Sequence, residues 1–286
     1  MYKFKVLSDT KREGHHDFYA IQTYAMSIRG QEKPENEDFV FHKAAQIPGG
    51  FPMALMVVCD GLGGYQVGGF ASELATHIIA AELGKIFPQA DYLNVRLEQP
   101  TLPRAEQLHA WLVKTVQEAN HLIYQYASQQ PKIKKSGTRL TLALLHSETA
   151  TIAHVGDTRA YLWRNLELTQ ITEDHSIVAE LERKGILGET EMMHHPLRKI
   201  LSRSVGTQPE VKPEIYTISL WPGDKLMLCS DGLWNAFDNV TPIENILVND
   251  LHPGDLCAML IDEARDRNHM DDISVALACV KTLSQN

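Results

Sequence analysis

Cysteine is scarce in this chain: four in 286 residues, Cys59, Cys229, Cys257 and Cys279, far apart and with no C-x-x-C pair. That spacing argues against a zinc knuckle and a disulfide framework, and leaves core thiols in a reducing compartment. Long apolar runs are also missing. Nothing approaches the ~20 consecutive apolar residues that cross a bilayer, and the opening MYKFKVLSDTK lacks the roughly 7–15-residue apolar stretch of a secretory signal. A cytoplasmic protein with no membrane partner is expected. Basic charge is in deficit, 27 Lys and Arg against 36 Asp and Glu for a formal charge of −9; such a field repels phosphate backbones and argues against nucleic acid as a partner. There is no internal repeat, low-complexity tract or long linker. With 44% apolar and 22% charged residues, the composition is that of a folded globular protein, and one domain over residues 1–286 is expected.

What is present begins with ALMVVC, residues 54–59, whose length and branched side chains predict a strand buried on both faces. Over 71–87 the apolar period becomes helical, and Leu108, Trp111, Leu112, Ala119, Leu122, Ile123 and Tyr126 mark a second helical face beyond a loop holding Pro88, Pro100 and Pro103. Residues 138–171 read as a meander of antiparallel strands with turns at 146–148, 156–157 and 164–165. A helix is predicted at about 176–184, started by Asp174 or His175 and stopped by Gly185. Residues 186–210 look irregular. Strands at 225–229 and 273–280 bracket helical patterns near 242–249 and 254–267.

Four aspartates share one kind of position. Asp60 and Asp231 end apolar runs, in VVCDG and LMLCSDG, whereas Asp38 and Asp271 stand just before them, in NEDFVF and DDISVALACV. In an antiparallel sheet the end of one strand lies beside the start of its neighbour, so all four could gather at one rim. Gathered carboxylates repel one another and resist desolvation, so a positive partner is required. No Arg or Lys lies within the D-G-L-G-G or S-D-G segments, and aspartate oxygens suit hard divalent cations such as Mg²⁺ or Mn²⁺. Gly61 would let its carbonyl approach such an ion without a β-carbon in the way.

The fragments KPENED, CDGLGGYQVGGFAS, SGTRLTLALL, AHVGDTRAYLWR, LTQITEDHS, PLRKILSRSVG, GDKLMLCSDGLWN and MDDISVALA follow one another in an order that resembles the metal-dependent serine/threonine phosphatases of the PP2C (PPM) family. The resemblance spans about residues 24–280. It implies an α+β fold, an α-β-β-α sandwich of two central, mostly antiparallel sheets flanked by helices, with two Mn²⁺ or Mg²⁺ ions at one end. By that resemblance Asp60 would bridge both ions, the Gly61 carbonyl would serve one, and Asp231 and Asp271 would ligate the other. Asp38, with Glu37 beside it, would hold waters around the ions. Asp157 resembles the aspartate that helps bind a weaker third ion in bacterial members, and residues 172–206 match a flap beside the substrate groove. A water activated between the ions would attack phosphorus directly. A phosphorylated protein would be the substrate, and a serine/threonine kinase the opposing partner.

This chain departs from the family pattern at several places. Where an arginine commonly grips the substrate phosphate, five residues before Asp38, stands Lys33, which cannot form the bidentate fork; Arg29 is the alternative. Leu62 stands where relatives often carry methionine or histidine and Tyr65 where they often carry histidine, so a histidine general acid beside Asp60 is missing. Gly69 replaces a frequent glutamate, Arg139 a frequent threonine and Asp272 a usual asparagine; Asp272 could strengthen ion binding or point away. The histidine pairs 15–16 and 194–195 lack the i, i+4 spacing of helical ligands and are read as surface or flap residues. Other hydrolytic classes fail on the letters. No cysteine is followed six residues later by arginine, Ser230 lies in LCSDG rather than G-x-S-x-G, and no G-x-x-x-x-G-K-[ST] loop exists. The rival that survives is a catalytically poor phosphoprotein-binding or regulatory member of the same fold.

Overall fold

The computed structural model describes residues 4–7, 19–46, 52–63, 68–87, 105–130, 133, 136–188, 191, 195–197, 200–267 and 270–282. In chain order its elements are β1 (Phe4–Leu7), β2 (Tyr19–Ile28), β3 (Phe39–Gln46), β4 (Pro52–Leu62), α1 (Gly68–Leu83), α2 (Ala105–Gln129), β5 (Gly137–His146), β6 (Thr149–Val155), β7 (Arg159–Arg164), β8 (Glu167–Gln170), α3 (Ile177–Arg183), β9 (Glu214–Ser219), β10 (Lys225–Cys229), α4 (Asp231–Trp234), α5 (Thr241–Leu247), α6 (Pro253–Asp266) and β11 (Ile273–Thr282). One sheet has the order β1-β9-β6-β5-β4-β3 and the other β2-β11-β10-β7-β8. All pairings are antiparallel except β1 with β9.

The two-residue period of a strand sorts side chains between three cores. On β4, Met53, Leu55, Val57 and Cys59 pack with Ala75 and Ile79 of α1 and Leu112 and Val116 of α2. The alternate residues Ala54, Met56 and Val58 meet Leu226 and Leu228 of β10 and Ala276 and Ala278 of β11. Behind the second sheet, Met227, Cys229, Val275 and Leu277 pack on Ile243 and Leu247 of α5 and Leu256 and Leu260 of α6. The layers are therefore helix, sheet, sheet, helix, which is the expected sandwich. Each leucine buried in this way contributes about 1.5–3 kcal/mol. The parity of β4 carried forward puts Asp60 on the inter-sheet face, and the same argument on β5, where Leu140, Leu142 and Leu144 face the helices, turns Arg139 toward the gap.

The strand buried on both faces and the helices near 71–87 and 105–129 are present, the first ending in a 3-10 turn at Gly84–Ile86. All four cysteines are buried and free. The single meander over 138–171 is corrected. β5 and β6 form a hairpin in one sheet and β7 and β8 a hairpin in the other, so residues 156–158 are a crossing between sheets rather than a turn within one. Helix α3 is capped by Ser176, whose Oγ accepts from the Ala179 amide at 3.2 Å, rather than by Asp174 or His175. Asp174 instead receives a two-pronged contact from Arg159, at 3.0 and 2.8 Å. Strands β1, β2 and β9 were not foreseen, because polar residues such as Gln22, Thr23 and Ser27 blur the apolar alternation. The 15–16 histidine pair, His194, Tyr65 and the loop prolines 88, 100 and 103 lie outside the described residues.

Candidate metal and phosphate site

Two pairs of strands deliver the four aspartates. In the first sheet Phe39 faces Cys59, so the next step of the antiparallel register sets Asp38 opposite Asp60. In the second, Cys229 faces Val275, and the Ser230 amide donates to the Ser274 carbonyl at 3.1 Å, which carries Asp231 and Asp271 to the same end of β10 and β11. Asp157 arrives from the crossing between β6 and β7. Its carbonyl is held by the Trp234 indole N–H at 3.0 Å, and Arg159 lies over that indole, 3.5 Å from the ring centre. This ties the crossing to the helix that begins at Asp231.

The chain places its own cations among these acids. Asp60 pairs across the strands with Arg139, whose Nη1 stands 2.5 Å from Asp60 Oδ1 and 3.4 Å from Asp231 Oδ2, while its Nε lies 2.8 Å from Asp157 Oδ1. The last contact is close but off the hydrogen-bonding direction, since neither Arg139 Nε nor Asp157 Oδ1 has an aligned partner. Room for the arginine comes from Gly156, at φ +113°, where a β-carbon would sit 2.7 Å from Arg139 Cβ. Lys33 Nζ forms an ion pair with Asp271, lies 3.1 Å from Asp272 Oδ2 and is 3.9 Å from Glu37 Oε2. Arg29 donates to the Pro34 carbonyl at 2.8 Å in an exposed position.

Asp272 does not join the acid cluster. Its Oδ1 accepts from the Gly30 amide and its Oδ2 from the Glu37 amide, both at 2.8 Å, so it pins the 30–37 loop against the start of β11. Glu37 Oε1 in turn receives the Gly68 amide at 3.3 Å, at the positive end of α1. Gly61 is wedged between backbones, with a β-carbon there 2.6 Å from the Gly68 carbonyl carbon and 2.7 Å from the Glu37 oxygen.

Burial dominates the electrostatics. It pushes Asp38 up to about 8, with repulsion from Asp272 and Asp231 adding to it and the Ser274 and Ser230 hydroxyls opposing it. Burial raises Asp60 well above the carboxylate range against the pull of Arg139, and raises Asp157 to about 7. Asp271 is the exception: burial works against its charge, but the Lys33 ammonium holds it below the usual range. Among the described residues no three His, Cys, Asp or Glu side chains stand in an arrangement that would hold a metal ion; Arg139 and Lys33 stand among the acids. The donor chemistry still fits a divalent cation. Asp38 Oδ2 and Asp60 Oδ2 are buried oxygens with no hydrogen-bond partner, which hard cations satisfy.

Of the residues expected at the site, Asp38, Asp60, Asp157 and Asp231 stand around one end of the sheets, and Asp271, Lys33 and Glu37 form its rim. Arg139 is the residue whose place the sequence reading missed. The signal was available in TRLTLALL, where its parity opposes that of the core leucines.

The profile of the family described as protein phosphatase 2C matches residues 32–273. A Listeria monocytogenes protein named serine/threonine phosphatase stp is 34% identical over 251 residues, covering 87% of this chain and 92% of its own. The solved serine/threonine phosphatase of S. agalactiae superposes with a TM-score of 0.77 at 28% identity, covering 91% of this chain and 99% of its own. The catalytic domain of serine threonine protein phosphatase PstP, solved in complex with two manganese ions, gives 0.73 at 28% identity, covering 92% and 99%. A match of this extent, on a fold with the same layers, establishes that the chain belongs to the protein phosphatase 2C family.

Proposed function

We propose that this chain hydrolyses phosphoserine and phosphothreonine in protein substrates, using a pair of Mn²⁺ or Mg²⁺ ions, in opposition to a serine/threonine kinase in the cytoplasm. The observation that carries the reading is the delivery of Asp38 and Asp60 from one sheet, and Asp231 and Asp271 from the other, to one end of the inter-sheet gap with buried oxygens left unpartnered. Asp60, Asp231, Asp271 and the Gly61 carbonyl would hold the ions, with Asp38 and Glu37 behind them. When bound, such ions activate water and offset charge on the phosphoryl oxygens. Asp38 Oδ2, buried and without a hydrogen-bond partner, would hold water beside the ions. Lys33, a point charge at the rim, would meet the substrate phosphate once released from Asp271. Arg29, turned onto its own loop, is the weaker candidate. The chain is read as one catalytic unit over residues 1–286, with 172–206 flanking the groove.

Purified protein should turn over p-nitrophenyl phosphate and a phosphothreonine peptide with Mn²⁺, lose that activity in EDTA, and lose more than about 100-fold in Asp231→Ala. Activity surviving either treatment would contradict the reading. The presence of Arg139 and Lys33 among the acids favours a second reading, a phosphoprotein-binding member with little catalysis; retained phosphopeptide binding without turnover would select it.

A further inference from the structure

The Arg139 guanidinium lies where Asp60, Asp157 and Asp231 would otherwise need a metal ion. We propose that Arg139 is a permanent, built-in cation at that position, so that Asp157 binds no metal in this chain and the acid cluster is partly neutralised by the protein itself. Arg139 engages Asp60 through Oδ1 and Asp231 through Oδ2 and leaves Asp60 Oδ2 without a hydrogen-bond partner; the inference rests on the two-ion reading, with the two ions on the other oxygens of Asp60 and Asp231.

Three observations carry it. First, one guanidinium reaches three carboxylates delivered by separate parts of the chain, Nη1 to Asp60 and Asp231 and Nε to Asp157. The planar fork suits such a task, and its charge cannot be shed to make way for a competitor. Second, the side chain is enclosed. It is 13% exposed, its register position opposite Asp60 is set by the β4–β5 ladder, and the Gly156 backbone closes over its Cβ and Cγ. Lys33 differs: it is 26% exposed at the rim, on a long stem, and can swing aside when an ion arrives at Asp271. Third, the Asp157 main chain is held by Trp234 through its carbonyl, which keeps the residue at the crossing, where its carboxylate lies 2.8 Å from Arg139 Nε.

The test is the number of Mn²⁺ ions bound per chain, measured by equilibrium dialysis on the full-length wild type and four variants. Arg139→Thr should bind one ion more than the wild type. Adding Asp157→Asn to Arg139→Thr should remove that extra ion. Arg139→Lys, which keeps the charge, should hold the wild-type count, and Asp157→Asn alone should leave it unchanged. Equal counts for the wild type and a folded Arg139→Thr would overturn the proposal, as would a lower count in Asp157→Asn alone. The latter comparison decides the matter even if Arg139→Thr fails to fold. The wild-type count itself, two or none, judges the two-ion reading separately, because the proposal depends only on differences between variants and wild type.

Discussion

Asp272 shows how one atom pair can organise a rim. With its side chain 1% exposed, it accepts two loop amides and faces the Lys33 ammonium. Hydrogen bonds to a charged group contribute about 1.5–3 kcal/mol, and removing the acceptor leaves buried amides unsatisfied. Asp272→Ala should therefore lower stability in urea by about 2–3 kcal/mol. Because Lys33 would then face only Asp271 and, more distantly, Glu37, the variant should also bind Mn²⁺ less tightly at the rim, as read by the Mn²⁺ concentration that half-saturates its thermal shift. A change in stability with unchanged Mn²⁺ dependence would confine Asp272 to holding the loop. The sequence marked this position as unusual, but its partners at 30, 33 and 37 lie more than 230 residues away along the chain, and no local pattern points to them.

At the scale of elements, α2 fastens the segment that follows α3. Asn120 accepts the Gly206 amide at 2.7 Å and donates to the Gln208 and Pro209 carbonyls at 3.1 and 3.3 Å. A single buried amide thus satisfies three backbone groups of a segment that bridges to the first sheet at Thr138 and Val205. Asn120→Ala should cost about 1–3 kcal/mol, the desolvation penalty of unpaired buried groups. Hydrogen exchange at the Gly206 amide should accelerate while amides in β4 keep their protection; uniform acceleration would indicate a global effect instead. Helix α2 itself was legible from its apolar stripe, and the irregular character of the described residues within 186–210 from the lack of one. The polar link between them was not, because Asn120 in a helical pattern reads simply as a position of low propensity.

Across the whole molecule, the first sheet grips the same region through Glu214. This carboxylate of β9 stands 3.4 Å from His175 Nε2 and 3.2 Å from Arg203 Nη1, and accepts from the Tyr216 hydroxyl at 2.8 Å. The hydrogen bond with His175, and the further charge and hydroxyl contacts, hold Glu214 far below its ordinary value of 4.5. A depressed folded-state value means that the unfolded chain binds the proton first as pH falls. The contribution is then complete above about 4.5 and is lost progressively as the pH drops toward the folded-state value. The wild type should lose stability more steeply than Glu214→Gln below pH of about 4.5, in urea melts across that window. Parallel acid limbs would show that the contact does not fasten the segment.

The amino-acid sequence determined the strands and helices with a clear apolar period, though not β1, β2 and β9, and which acids end or begin the apolar runs, because these follow from a side-chain period carried locally. It also marked Lys33, Arg139 and Asp272 as departures. The tertiary structure alone decided what those departures do. Arg139 meets Asp60 through strand register, and Asp157 through the β5–β6 ladder that sets Gly156 beside it, yet reaches Asp231 only because two sheets pack face to face, and that packing depends on summed contacts over the whole inter-sheet core. Periodicity along a chain tells a residue which way to face; it does not say what will be facing it.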